Sequence, residues 1–254
     1  MSVAVIGMGV VGRAQEKLFG DVVTYDIARE EPYPAGAIAG CEFAVIAVGT
    51  PQGPGGHADV SAVRAAIGAL PAGLPALVRS TVPPGTTDGL ARGCPGRLVA
   101  HAPEFLTERS DGPWPGSADV PYLILGGSPE ARQFFRPRLD MSFPGVIWEC
   151  TATEAELAKY TANLHWAARV TFVNEMARVC AAAGADWEQV RAAWLCDTRV
   201  RPAYTAMAGF PPGFGGSCWP KDLAALIAAS TEAGYDPVFL RAVSEANGRF
   251  REER

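Results

Sequence analysis

Through the first 148 residues, short apolar runs alternate with Gly/Pro turns and helical stretches. Val3–Ile6, Val22–Tyr25, Phe43–Val48, Ala76–Ser80, Arg97–Ala100, Tyr122–Leu125 and Val146–Trp148 read as strands. The first few are apolar on both faces, as parallel strands covered by helices must be. This predicts a doubly wound α/β domain over residues 1–150 with a parallel sheet. The pattern changes near residue 150. From Thr153 to about Ala183 a helical stretch runs without Gly or Pro and stops at Gly184. Two capping boxes compete for its start, Thr151 with Glu154 and Thr153 with Glu156. Further helices are expected at about 186–196, 220–233 and 237–252, giving an all-helical second domain over 151–254.

The 254 residues carry a net charge of −5, which argues against a nucleic-acid binder or a basic membrane-surface protein. The lysines are Lys17, Lys159 and Lys221 alone, so a lysine inside a motif stands out. Six cysteines lie scattered among apolar residues with no CxxC pair. That suits free thiols in a reducing cytosol, and no metal site is expected. No apolar run reaches the ~20 residues needed to span a bilayer.

Gly7-Met8-Gly9-Val10-Val11-Gly12 follows the first strand directly and opens a helical stretch. Gly7 permits a tight turn, Gly9 lets a pyrophosphate approach the backbone, and Gly12 lets helix and strand pack closely. Asp26 ends the next strand. A carboxylate there accepts hydrogen bonds from a ribose 2′-OH and repels a 2′-phosphate, favouring NAD over NADP. The plainer alternative makes Asp26 a turn residue. With the first reading, the domain is Rossmann-type.

The string Gly213-Phe214-Gly215-Gly216-Ser217-Cys218-Trp219-Pro220-Lys221-Asp222 resembles the GxGFGGSCFPKD signature of the UDP-glucose/GDP-mannose dehydrogenase family. Other segments agree in order. Val48-Gly49-Thr50-Pro51 resembles the family's VGTP turn, and Ser80-Thr81-Val82-Pro83-Pro84-Gly85-Thr86-Thr87 its STVPPGTT loop. Pro103-Glu104-Phe105-Leu106 with Glu108 resembles NPEFLREG. Glu156, Lys159, Tyr160 and Asn163 match its E-x-x-K-Y-x-x-N helix, Asn174-Glu175 its NE pair, and Asp197-x-Arg199 its D-x-R-I-G. Full-length members carry a third, nucleotide-binding domain; this chain stops at Arg254, on the helix that leads there, so a short form is expected. Residues 27–40 are also shorter than the family's excursion, which implies a lost helix and edge strand.

The resemblance implies roles. Val48, Gly49, Thr50, Pro51, Ser80, Thr81, Glu108 and Lys221 join Gly7, Gly9, Val10, Val11, Gly12 and Asp26 at NAD. Phe105, Leu106, Phe214, Gly215 and Arg199 join Lys159, Asn163 and Cys218 at substrate, with Arg199 reaching across a homodimer. Asp222, Lys159 and a held water take the alcohol proton, Cys218 attacks the aldehyde, and a thioester is hydrolysed with help from Glu104 and Thr81. The residues themselves agree with this. Cys218 stands before Pro220, a first-turn helix residue, with Lys221 close by. Lys159 and Asn163, four apart on one helix, share a face that can hold an oxygen becoming negative; the alternative is a solvated lysine. Glu156 shares that face, but its capping position accounts for it.

Three functions stay open. The first is a two-step dehydrogenase turning a primary alcohol of a sugar, nucleotide sugar or nucleoside into a carboxylate. The second is a single-hydride dehydrogenase or epimerase on the same scaffold. The third is a catalytically silent NAD-binding partner subunit. A cytoplasmic homodimer acting on a small molecule is expected throughout.

Overall fold

The computed structural model describes residues 2–29, 31–105 and 121–252. It divides into two compact units, Met1–Pro51 with Ala58–Lys159, and Gln52–His57 with Tyr160–Arg254.

In the first unit, strands β1 (Val3–Ile6), β2 (Val22–Tyr25), β3 (Phe43–Ile46), β4 (Ala76–Val78), β5 (Val99–His101), β6 (Tyr122–Gly127) and β7 (Val146–Cys150) form one sheet. Its order is β2-β1-β3-β4-β5-β6-β7. All seven expected runs are strands. Their apolar continuity has a two-sided cause. Val3, Val5, Phe43, Val45 and Leu77 face one core with Phe135 and Leu139. Ala4, Ile6, Ala44 and Ile46 face the other with Val63, Ile67 and Leu90. The helices in this unit are α1 (Val10–Phe19), α2 (Ala35–Ala39), α3 (Ser61–Ala69), α4 (Thr86–Gly93) and α5 (Pro129–Ser142).

The sheet departs from the parallel one expected from the sequence. β6 runs antiparallel to β5, and β7 runs parallel to β6. β6, α5 and β7 make their own crossover unit and join the sheet edge in the opposite sense. Between β2 and β3 the crossover has only a 3-10 turn at Ile27–Arg29 and the short α2, anchored by buried Ile38.

Helix α6 (Ala152–Ala182) begins in the first unit and continues through the second. Its start uses the Thr151–Glu154 box. Glu154 N–H donates to Thr151 Oγ1 at 3.3 Å, and Thr151 N–H to Glu154 Oε2 at 2.8 Å. Its end is closed by Gly184 at φ +73°, with Ala185 N–H donating to Cys180 O at 2.8 Å. The second unit adds α7 (Trp187–Trp194), α8 (Trp219–Glu232) and α9 (Val238–Glu252). Leu164 and Ala167 of α6, Phe214, Leu223 of α8 and Val243 of α9 form one core, and Trp187 of α7 packs with Val173 and Cys180 in another. Among the described residues, no helix is long and apolar enough to cross a membrane.

Candidate active site

The carboxyl ends of β1, β3 and β4 carry the expected cofactor residues, and sheet order reverses between β1 and β3, where open α/β sheets bind ligands. Gly7 sits at φ +93°, and a Cβ there would lie 2.7 Å from Ala47 O. One on Gly12 would lie 1.8 Å from Gly7 O. Both are close-packing positions. Gly9 differs, because a Cβ on it would meet nothing within 4 Å. It is the N-cap of α1 and supplies no capping side chain, so the amides of the first turn stay open to an anion beside Val10 and Val11. Asp26 accepts from Met8 N–H at 2.6 Å and Ala28 N–H at 2.9 Å. These two backbone bonds hold its carboxyl below the usual range. Asp26 therefore steadies the glycine turn and keeps an ionised carboxylate at its edge. The turns after β3 and β4 are strapped together. Ser80 Oγ donates to Val48 O at 2.7 Å, and Thr50 Oγ1 to Thr81 O at 2.8 Å. Gly49 and Pro51 are exposed in that turn.

Glu104 follows β5 and is buried. It pairs with buried Arg79, accepts from Gln15 Nε2 at 3.4 Å and from Phe105 N–H at 2.9 Å. Burial pushes its carboxyl up. The charge and hydrogen bond of Arg79, the Phe105 amide and Lys159 more than reverse this, and it stays below the usual range. Such a group serves as a base directly; to act as an acid it must loosen from Arg79. Lys159 is 8% exposed and lies 5.1 Å from the centroid of the Phe105 ring, which excludes a solvated helix lysine. Leu106 and Glu108 lie outside the described residues.

Glu156 is not a cap of its own helix, as its sequence position suggested. It is fully buried and accepts from Gly85 N–H (2.6 Å), Thr87 N–H (2.8 Å) and Thr87 Oγ1 (2.7 Å). Thr151 and Glu154 had already filled the box, leaving Glu156 free for a partner about 70 residues away.

In the second unit, Cys218 is the N-cap of α8, half-buried, with Sγ 3.5 Å from Ser217 Oγ. Asp222, one turn further on, is 1% exposed and gripped on both oxygens. Asn163 Nδ2 donates to Oδ2 at 2.6 Å, and Lys221 Nζ to Oδ1 at 2.6 Å. Lys221, expected at the cofactor, is thus tied to the carboxylate. Phe214 is also placed differently from the expectation. It is 3% exposed in the unit's core, where it anchors the loop. Gly215 lies against the Arg251 guanidinium. Arg199 is exposed and pairs with Asp197 at 2.7 Å.

Three further residues went unnoticed in the sequence, Arg79, Gln15 and Asn247, and a fourth, Asn174, appears there only within the NE pair. Arg79 and Gln15 hold Glu104. Asn174 Oδ1 accepts from Gly213 N–H at 3.0 Å. Asn247 takes Phe214 N–H at 2.7 Å and donates to Phe214 O at 3.1 Å. The available signal was a polar or charged residue in an otherwise apolar face, Arg79 ending the β4 run and Asn247 on the core side of α9.

Together these features define an α/β unit with a glycine turn at the head of its first helix, followed along the chain by a helical unit with a cysteine one turn before a buried carboxylate. Residues 153–249 match the family model described as the UDP-glucose/GDP-mannose dehydrogenase family, central domain. The chain is similar to a UDP-glucose 6-dehydrogenase of Pseudomonas aeruginosa, 38% identical over 242 residues, covering 86% of this chain and 51% of that protein. A UDP-glucose 6-dehydrogenase of Bacillus subtilis is 33% identical over 231 residues, covering 85% and 48%. The structure of a UDP-glucose dehydrogenase from Pyrobaculum islandicum superposes with a TM-score of 0.82 at 29% identity, covering 99% of this chain and 68% of that one. Residues 153–249 thus match the central domain of the UDP-glucose/GDP-mannose dehydrogenase family, and the chain as a whole is similar to UDP-glucose 6-dehydrogenases. It spans about half the length of the curated relatives it matches.

Proposed function

We propose that the protein oxidises a primary alcohol of a sugar, nucleotide sugar or nucleoside to a carboxylate, using NAD and a thioester on Cys218. The observation that carries this reading is Cys218 at the start of α8, one turn before an Asp222 carboxylate held by Asn163 and Lys221. A single hydride transfer needs no nucleophile, and a silent subunit needs neither group.

The residues present suit a dinucleotide. Gly9 leaves open space over uncapped helix amides for the pyrophosphate, and Asp26 offers oxygens to a ribose diol. The turns at Val48–Pro51 and Ser80–Thr81 complete that edge. A bound nicotinamide would supply the hydride acceptor, used twice for each carboxylate formed. The chain's own groups do the rest. Asp222, through a water, takes the alcohol proton, and Lys159 offers a cation to the oxygen that becomes negative. The Cys218 thiolate adds to the aldehyde carbon and gives a thiohemiacetal, whose oxidation leaves the thioester. Water, placed by Thr81 and deprotonated by Glu104, attacks the thioester and releases the acid and the thiol. The balance is one alcohol, one water and two oxidant equivalents to one carboxylate.

UDP-glucose is the first substrate to test, because the similar proteins bear its name. The expected result is two NADH per acid released, with none from Cys218→Ala. One NADH per turnover, or acid formed at near-native rates by Cys218→Ala, refutes the thioester reading. A homodimer is part of the proposal. Phe172 and Val179, exposed on α6, and exposed Arg199 support it. Light scattering of a monomer at micromolar concentration would refute it.

A further inference from the structure

We infer that Glu156 is a positioning residue of the oxidation, setting the loop that carries Thr81 against the helix that carries Lys159. This rests on the roles proposed above for those two groups. Gly85, at φ +85°, is the N-cap of α4 and supplies no side chain to its amides. The cap comes from α6 instead, as the three bonds from Gly85 and Thr87 to the Glu156 carboxylate. When ionised, the carboxylate also complements the positive end of the α4 dipole.

The loop between residues 80 and 85 is thus tied at both ends. Ser80 and the Thr81 carbonyl bind the turn after β3, and Gly85 binds Glu156. Thr81 sits at the first tie, four residues before the second. Lys159 follows Glu156 by three residues, on the same face of a continuous helix. A rigid helical turn therefore joins the carboxylate that fixes the loop to the cation assigned to the reacting oxygen. Every partner of Glu156 donates, so a glutamine of the same shape cannot replace it. Its amide N–H₂ would face the donor it must accept from, and one backbone N–H would be left buried and unbonded.

The test compares Glu156→Gln and Thr87→Val with the full native chain by three measurements. Backbone exchange should speed up about 10–100-fold at Gly85 and Thr87 in Glu156→Gln, while α6 amides beyond residue 160 stay protected. With UDP-glucose, kcat should fall about tenfold or more and KM change less than about threefold, because the loss is in placement and not in uniform binding. Calorimetry should show NAD held about tenfold more weakly, since the same loop borders the cofactor turns. Thr87→Val, which keeps the Thr87 amide bond, should show the same pattern at smaller amplitude and decides the matter if Glu156→Gln fails to fold. Unchanged exchange, or faster exchange with native kcat, overturns the proposal. If the native chain does not oxidise UDP-glucose, that choice of substrate fails separately. The exchange and NAD measurements then decide, and an unchanged NAD affinity overturns the inference.

Discussion

His101 and Glu156 lie in the first unit, both fully buried, and titrate in opposite senses. Burial, with the charges of Arg79 and Lys159, lowers His101 from 6.5 to about 3. Burial raises Glu156 from 4.5 to about 7, against its three hydrogen bonds and with a small push from Asp88. For His101 the unfolded chain binds more protons between pH 3 and 6.5, so acidification through that range destabilises the fold. For Glu156 the folded chain binds more protons between 4.5 and 7, so acidification through that range stabilises it. At about 1.36 kcal/mol per pH unit, lowering the pH from about 7.5 to about 4.5 lets Glu156 contribute about 3 kcal/mol and costs about 3 kcal/mol at His101. The two nearly cancel. Urea unfolding followed by circular dichroism at stepped pH, with each variant read as a difference from the native chain, removes the background of other carboxylates. Over that acidification Glu156→Gln should lose about 3 kcal/mol relative to native, and His101→Leu should gain about as much. Differences of the same sign, or both within about 0.5 kcal/mol of zero, refute the reasoning.

Asn247→Leu removes both bonds to Phe214 and strands a buried N–H and C=O, costing about 2–5 kcal/mol and changing the alkylation rate of Cys218 by iodoacetamide; native stability would show the clamp to be dispensable. Asp26→Ala should narrow the preference for NAD over NADP in calorimetric titration, and a native protein that prefers NADP contradicts the assignment. Cys218→Ser should leave NAD binding intact and accumulate an ester as a mass adduct on residue 218, because serine is the poorer nucleophile and its ester the less reactive acyl group. Absence of any adduct during aldehyde turnover counts against covalent capture.

The sequence by itself determined whatever depends on neighbours along the chain. Strand runs are legible because both faces of the sheet are covered, leaving no polar alternation in β1 or β3. The glycine turn is legible because Gly7 takes a positive φ and Gly12 packs on Gly7 O five residues away, although the backbone at Ala47 that also crowds Gly7 is a tertiary neighbour. The position of Cys218 is legible because Pro220 and two glycines mark the start of α8. Tertiary structure alone decided the pairings. The direction of β6 follows from how a whole β-α-β unit meets the sheet edge, which no periodicity within β6 encodes. Arg79 finds Glu104 across 25 residues, Asn247 finds Phe214 across 33, and Glu156 finds Thr87 across 69. A buried polar group must be bonded, and the sequence states that need at each of these positions. Which donor meets it is set by the packing that brings distant segments together.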